Sequence, residues 1–81
     1  MLFVFDSLGR RDFWMRGVDF PLDMIWIRDG RVRGVTPDVP PEAISRNRLY
    51  PSPGPIDRVL EMRGGWAAAR SIRTGDPYRG P

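Results

Sequence analysis

An Asp-Gly pair, Asp29-Gly30, stands between two runs of strand-forming residues. Before it comes Asp23-Met24-Ile25-Trp26-Ile27-Arg28, and after it Arg31-Val32-Arg33-Gly34-Val35. The tightest hairpin turn needs positive φ at both central residues. Asp tolerates that conformation and Gly adopts it freely, so the pattern predicts a two-residue β-hairpin. Such a loop fixes the register. Arg28 is expected to face Arg31, Ile27 to face Val32, Trp26 to face Arg33, and Ile25 to face Gly34. Ile25, Ile27 and Val32 then share a core face. Met24, Trp26, Arg28, Arg31, Arg33 and Val35 take the other, with Arg33 against the Trp26 ring.

The rest of the chain adds strands to this hairpin. Met1 to Phe5 is an apolar run of strand formers. Asp12-Phe13-Trp14-Met15-Arg16 alternates, with Phe13 and Met15 on one side and Asp12, Trp14 and Arg16 on the other. Ser7 to Arg11 and Gly17 to Leu22 read as turns. Thr36 to Pro55 carries six of the prolines and reads as a long, stiff loop. Ile56 to Met62 is a further strand, and Gly64-Gly65 ends it. Trp66 to Ile72 contains three alanines and reads as a short helix closed by Gly75. Asp76 to Pro81 is a short strand or a frayed end. Residues 1–81 thus make one domain, mainly β in an α+β fold: a small barrel-like antiparallel sheet with one short helix near the C-terminus.

What the chain lacks limits its chemistry. It has no cysteine and no histidine. Zinc sites with nitrogen or sulfur ligands, haem, iron–sulfur clusters, thiol catalysis and Ser-His-Asp triads are excluded within this chain. Carboxylates remain as its general bases near neutral pH. No metal site and no cofactor are expected. All thirteen basic residues are arginine, and the net charge is +3. Arginine usage of this kind says more about genome composition than about function. No run approaches the ~20 apolar residues of a membrane span. The start lacks the basic head and long apolar run of a signal peptide.

Several segments then become familiar together. Met1-Leu2-Phe3-Val4-Phe5, Phe13-Trp14-Met15-Arg16, Pro21-Leu22-Asp23 and Asp29-Gly30-Arg31-Val32 resemble the signature of the DUF192 family. Tyr50-Pro51-Ser52-Pro53-Gly54-Pro55, Val59-Leu60-Glu61 and Gly75-Asp76 follow in the family's order and approximate spacing. The resemblance covers nearly the whole chain. It implies a small β-rich, barrel-like domain with a short helix or two, and no established biochemical role. Two departures stand out. Family members usually carry a strand and a helix before the segment at which this chain begins. An edge left open in that way pairs with something, so a homodimer, or a strand supplied from elsewhere, is expected. Where the family usually has Lys-Asn-Thr, this chain has Arg16-Gly17-Val18, which removes two polar side chains.

Three groups of residues are candidates for function. The first, Trp14, Arg16, Asp19, Pro21 and Asp23, folds an aromatic, a cation and two carboxylates into one tight loop. The plainer reading is that Asp23 pairs with Arg16 or caps backbone amides, and that Trp14 is core. The second is the proline-rich loop around Tyr50 and Ser52; there the plainer reading has Tyr50 packing over the barrel mouth. The third is the face of Trp26, Arg28, Arg31 and Arg33, where a solvated surface or an oligomer contact is favoured over nucleic acid.

The leading expectation is a noncatalytic binding or accessory domain for a small molecule or a protein. Its ligand-binding residues would be Trp14, Arg16, Asp23, Tyr50 and Ser52. The rival is a carboxylate-dependent hydrolase acting on carbohydrate, with its pair drawn from Asp23, Asp19, Glu61 and Asp6.

Overall fold

The computed structural model describes residues 1–80. Its elements are β1 (Leu2–Gly9), β2 (Asp12–Phe13), β3 (Leu22–Arg28), β4 (Arg31–Val39), α1 (Glu42–Ser45), β5 (Tyr50–Pro51), β6 (Ile56–Arg63) and α2 (Trp66–Ala69). Four strands form an antiparallel sheet in the order β1-β6-β3-β4, while β2 and β5 form a separate two-stranded ribbon. The fold is therefore mainly β and antiparallel, with a short helix near the C-terminus. The sheet stays open, with β1 and β4 at its ends, and does not close into a barrel.

The hairpin forms where the Asp-Gly pair puts it. Asp29 and Gly30 have φ of 49° and 75°, as the turn requires. Arg28 faces Arg31 and Ile27 faces Val32, as expected. Beyond them the register slips: Trp26 faces Gly34, and Ile25 faces Val35. Arg33 is the extra residue of a β-bulge, so it is not opposite Trp26. Trp26 is instead interior, 1% exposed, and its Nε1 donates to Thr36 Oγ1 at 2.9 Å. The proposed basic face therefore has no aromatic surface at Trp26.

β3 is buried at six consecutive positions, Leu22 to Ile27. It is paired on both edges and covered on both faces, which explains its near-continuous hydrophobicity. One face carries Met24 and Trp26 into a core with Met15, Val39, Tyr50, Ile56 and Val59. The opposite face carries Ile25 and Ile27 into a second core with Val32 and Ala67.

The proline-rich stretch is more ordered in its backbone than a loop. β4 continues to Val39 through Pro37, because an edge strand tolerates a missing N–H. Pro41 heads α1, where the first amides have no helical acceptor in any case. The C-terminal helix is shorter than expected. Ser71, at φ 52°, takes the left-handed position, and its N–H and that of Ile72 close back on Ala68 and Ala67. That is a Schellman end, formed without Gly75. The tail adds a bridge between Arg31 and Pro77 on β4.

α2 has no capping side chain of its own; Asp23 supplies the acceptor from β3. Its carboxylate accepts from Gly65 N at 3.2 Å, Ala67 N at 2.8 Å and Asp38 N at 2.9 Å. Gly64 lets these segments meet, since a Cβ there would lie 2.5 Å from Asp38 Oδ1. Asp23→Ala would leave these donors without their acceptor, at about 1–3 kcal/mol for each that stays buried. Urea denaturation is expected to show a loss of at least about 3 kcal/mol; a loss below 1 kcal/mol would remove Asp23 as the anchor of α2.

Candidate functional site

The loop from β2 to β3 builds the site. Met15 is completely buried, so its neighbours Trp14 and Arg16 are turned outward. Val18 N donates to Met15 O at 3.0 Å, closing a four-residue turn. Gly17, with φ of 77°, occupies the third position of that turn, where a type II turn needs positive φ. α1 clamps the loop from the side. Glu42 N donates to Val18 O at 2.8 Å, and Glu42 Oε1 accepts from Gly17 N at 3.2 Å.

Beside this loop lies a groove of about 500 Å³. Phe3, Phe5 and Phe13 form its aromatic wall. Phe13 meets Phe3 edge-on at 5.0 Å, and behind it Trp26 edge-on at 5.7 Å. The wall is thus continuous with the core. Trp14 borders the groove and is 47% exposed, with the Arg16 guanidinium 5.3 Å from its ring centre. Arg11, Asp12 and Glu61 supply the other polar groups. The Arg11 guanidinium lies 3.9 Å over Phe5, and its Nη2 donates to Ser7 O.

Further hollows share walls with this groove. One, of about 430 Å³, shares Met1, Val18 and Glu61 and extends to Phe20, Leu22 and Met62. A more polar one, of about 360 Å³, shares Trp14 and Arg16 and adds Glu42, Arg46 and Asn47. Asp19 lines a third, with Pro41 and Ala43.

The expected site residues divide accordingly. Trp14, Arg16 and Glu61 come together at the groove. Asp23 is on the opposite face of β3, under the amides of α2. Tyr50 is buried, with its hydroxyl 2.7 Å from Ser45 Oγ. Ser52 is also buried, accepting from Arg11 N at 3.0 Å and donating to Gly54 O at 2.7 Å. Ser52 therefore holds the backbone of a groove residue without lining the groove. Pro21 is exposed beside Gly64, and Asp6 is exposed on β1. Arg11, Asp12 and the phenylalanines lie outside the expected site residues. Alternation is the available signal for part of this set: it puts Phe3 and Phe5 on a common face, and Asp12 on the same side as Trp14 and Arg16.

Glu61 pairs across the sheet with Met24 and faces the groove. Burial pushes its carboxyl above the ordinary value of 4.5, and the nearby amino-terminal charge partly offsets this. Among the described residues, no three His, Cys, Asp or Glu side chains gather to hold a metal ion. Nor is any helix among them long and apolar enough to cross a membrane.

Comparison with known proteins shows what this chain is similar to. The DUF192 family model, described as "Uncharacterized ACR", matches residues 1–80. The chain is similar to a crystal structure of a candidate transcription regulator from Sinorhizobium meliloti 1021, with 29% identity and a TM-score of 0.87. That match covers 95% of this chain and 58% of the other. It is also similar to a protein of unknown function from Novosphingobium aromaticivorans DSM 12444, with 35% identity and a TM-score of 0.85. Here the match covers 95% of this chain and 54% of the other. The chain thus spans little more than half the length of either protein. No curated protein matches it.

The raised Glu61 carboxyl sets a pH dependence. Its folded state holds a proton more tightly than the unfolded chain does. The associated stabilisation is complete below the ordinary carboxyl range and is lost as pH rises through the raised value. Glu61→Gln is therefore expected to stabilise the fold at pH 7 and to give no gain below about pH 4. Melting temperatures across that range check this, and an equal gain at both ends would contradict it.

Proposed function

The chain belongs to the DUF192 family, and we propose that it is a noncatalytic accessory domain that binds a small ligand in the groove beside Trp14. The half-exposed Trp14 bordering an aromatic groove carries this reading. Ligand sites are mostly apolar, hold a few convergent polar groups, and run to roughly 300–1,000 Å³. The groove has that size and that mixture, with Arg11, Asp12, Arg16 and Glu61 around phenylalanine rings. Its walls are held before any ligand arrives. Met15 is anchored in the core, Glu42 clamps the loop, and Ser52 fastens Arg11. Fixed walls lower the ordering cost of binding.

An anionic aromatic fluorescent probe, 1-anilinonaphthalene-8-sulfonate, tests the site. It is expected to bind the folded chain with one-to-one stoichiometry. Trp14→Ala should weaken binding at least about tenfold, by roughly 1.4 kcal/mol. Its melting temperature should stay close to that of the parent, because Trp14 is half exposed. Absence of probe binding, or binding indifferent to Trp14, would remove the groove as the site.

One observation favours a second reading, a hydrolase acting on carbohydrate. Glu61, with its carboxyl raised by burial, shares the groove with Asp12. Glycoside hydrolysis uses two carboxyl groups at one cleft, one of them raised by its environment. Trp14 would then be the platform for the sugar ring. Turnover of aryl glycosides that Glu61→Gln and Asp12→Asn each abolish would establish this reading. Failure to turn over a broad panel of such substrates would leave the binding role alone.

A further inference from the structure

The groove has a chemical direction. Trp14 and Arg16 border it where it adjoins the hollow of Glu42, Arg46 and Asn47. Met1, Val18 and Glu61 border it where it adjoins the hollow of Phe20, Leu22 and Met62. A molecule lying along this path meets guanidinium groups, then phenylalanine rings, then aliphatic side chains.

Positive charge is in surplus at the first end. Arg16 and Arg46 line the polar hollow against one carboxylate, Glu42, which already accepts from Gly17 N. Among the described residues, neither arginine is in an ion pair. The Arg16 guanidinium lies 5.3 Å from the Trp14 ring centre, and its planar fork suits a bidentate acceptor. In the middle of the path, Arg11 and Asp12 offset each other in charge. Glu61 lies where a chain would cover it.

We infer that the ligand is an anionic amphiphile of the single-chain carboxylate class. Its head sits between Arg16 and Arg46, and its chain runs over Phe13 and Phe3 toward Phe20 and Met62. This rests on the groove being the ligand site proposed above. Burial favours the neutral form of Glu61, so the carboxyl beneath the chain costs less to cover than an ionised one. A sugar would satisfy the arginines and Trp14 but would leave the Phe20 and Met62 hollow unused.

Isothermal titration of the full chain with hexanoate, octanoate, decanoate and decanol tests the inference. Each methylene added to the carboxylate is expected to tighten binding by up to about fourfold until the path is filled. Decanoate should bind at least about tenfold tighter than decanol. Arg16→Gln and Arg46→Gln should each remove most of that advantage and leave decanol unchanged. Both arginines are exposed, and the chain-length series on the unaltered protein needs no variant. Equal affinity for hexanoate and decanoate, or decanol binding as tightly as decanoate, would overturn the inference. If decanoate fails while the naphthalene probe still binds through Trp14, the ligand class is wrong and the groove stands. If neither binds, the groove falls as well.

Discussion

A strand with six consecutive buried residues needs a cover on each face, and β3 must find two covers within eighty-one residues. Neither cover is large. One is α2 with the C-terminal tail, packed over Ile25, Ile27 and Val32. The other is assembled from β1, β2, β5 and the loop after β2, packed over Met24 and Trp26. No disulfide holds either in place. The covers are fastened instead by buried polar contacts that reach far along the chain, each joining segments that hydrophobic burial alone would leave free to slide.

Asp23 is the clearest of these fasteners. A carboxylate with 1% exposure is costly to bury unless its oxygens are satisfied. Three backbone donors from two distant segments satisfy it, and α2 gains the acceptor that its own sequence does not provide. Ser52 and Tyr50 do comparable work on the other face. Ser52 ties the Pro-rich segment to Arg11, while Tyr50 and Ser45 tie it to α1. These buried polar groups support the molecule from within, and the groove lies within the second cover, between β1 and the loop after β2.

This division explains which parts of the fold were legible beforehand. The hairpin was readable because its signal is local: Asp29 and Gly30 carry the unusual backbone angles themselves. The bulge at Arg33 has a weaker local sign: Gly34 beside it is an isolated glycine in a strand run, which suits a bulge or a close approach without saying which. Trp14 and Arg16 were readable as outward because Met15 alternates with them. Asp23, Tyr50 and Ser52 drew attention for the right chemical reason, being polar groups among apolar or proline-rich neighbours. Their partners, however, are set by tertiary packing. For Asp23 those partners include Gly65 and Ala67, on the far side of β6. That Glu61 and Asp12 line one groove has the same cause: tertiary packing brings β6 and β2 to it, and no spacing rule encodes that.

The same geometry gives meaning to the segment Arg16-Gly17-Val18. Family members usually have Lys-Asn-Thr there, and the two lost polar side chains fall at different kinds of position. Gly17 occupies the positive-φ corner of the turn, a place Asn also accepts at modest cost. Changing Asn to Gly there preserves the backbone and removes a side chain from the hollow it borders. Val18 matters more, since it lines the aromatic groove and the hollows on either side of the loop. A threonine at that point would place a hydroxyl where all three meet. Valine has nearly the same shape and no hydroxyl, so the junction becomes apolar without being reshaped. Arg16, meanwhile, keeps the positive charge and adds a planar fork that lies against Trp14. On the proposed reading of the groove, Gly17 and Val18 leave this junction without polar side chains, and Arg16 keeps a cation at the mouth.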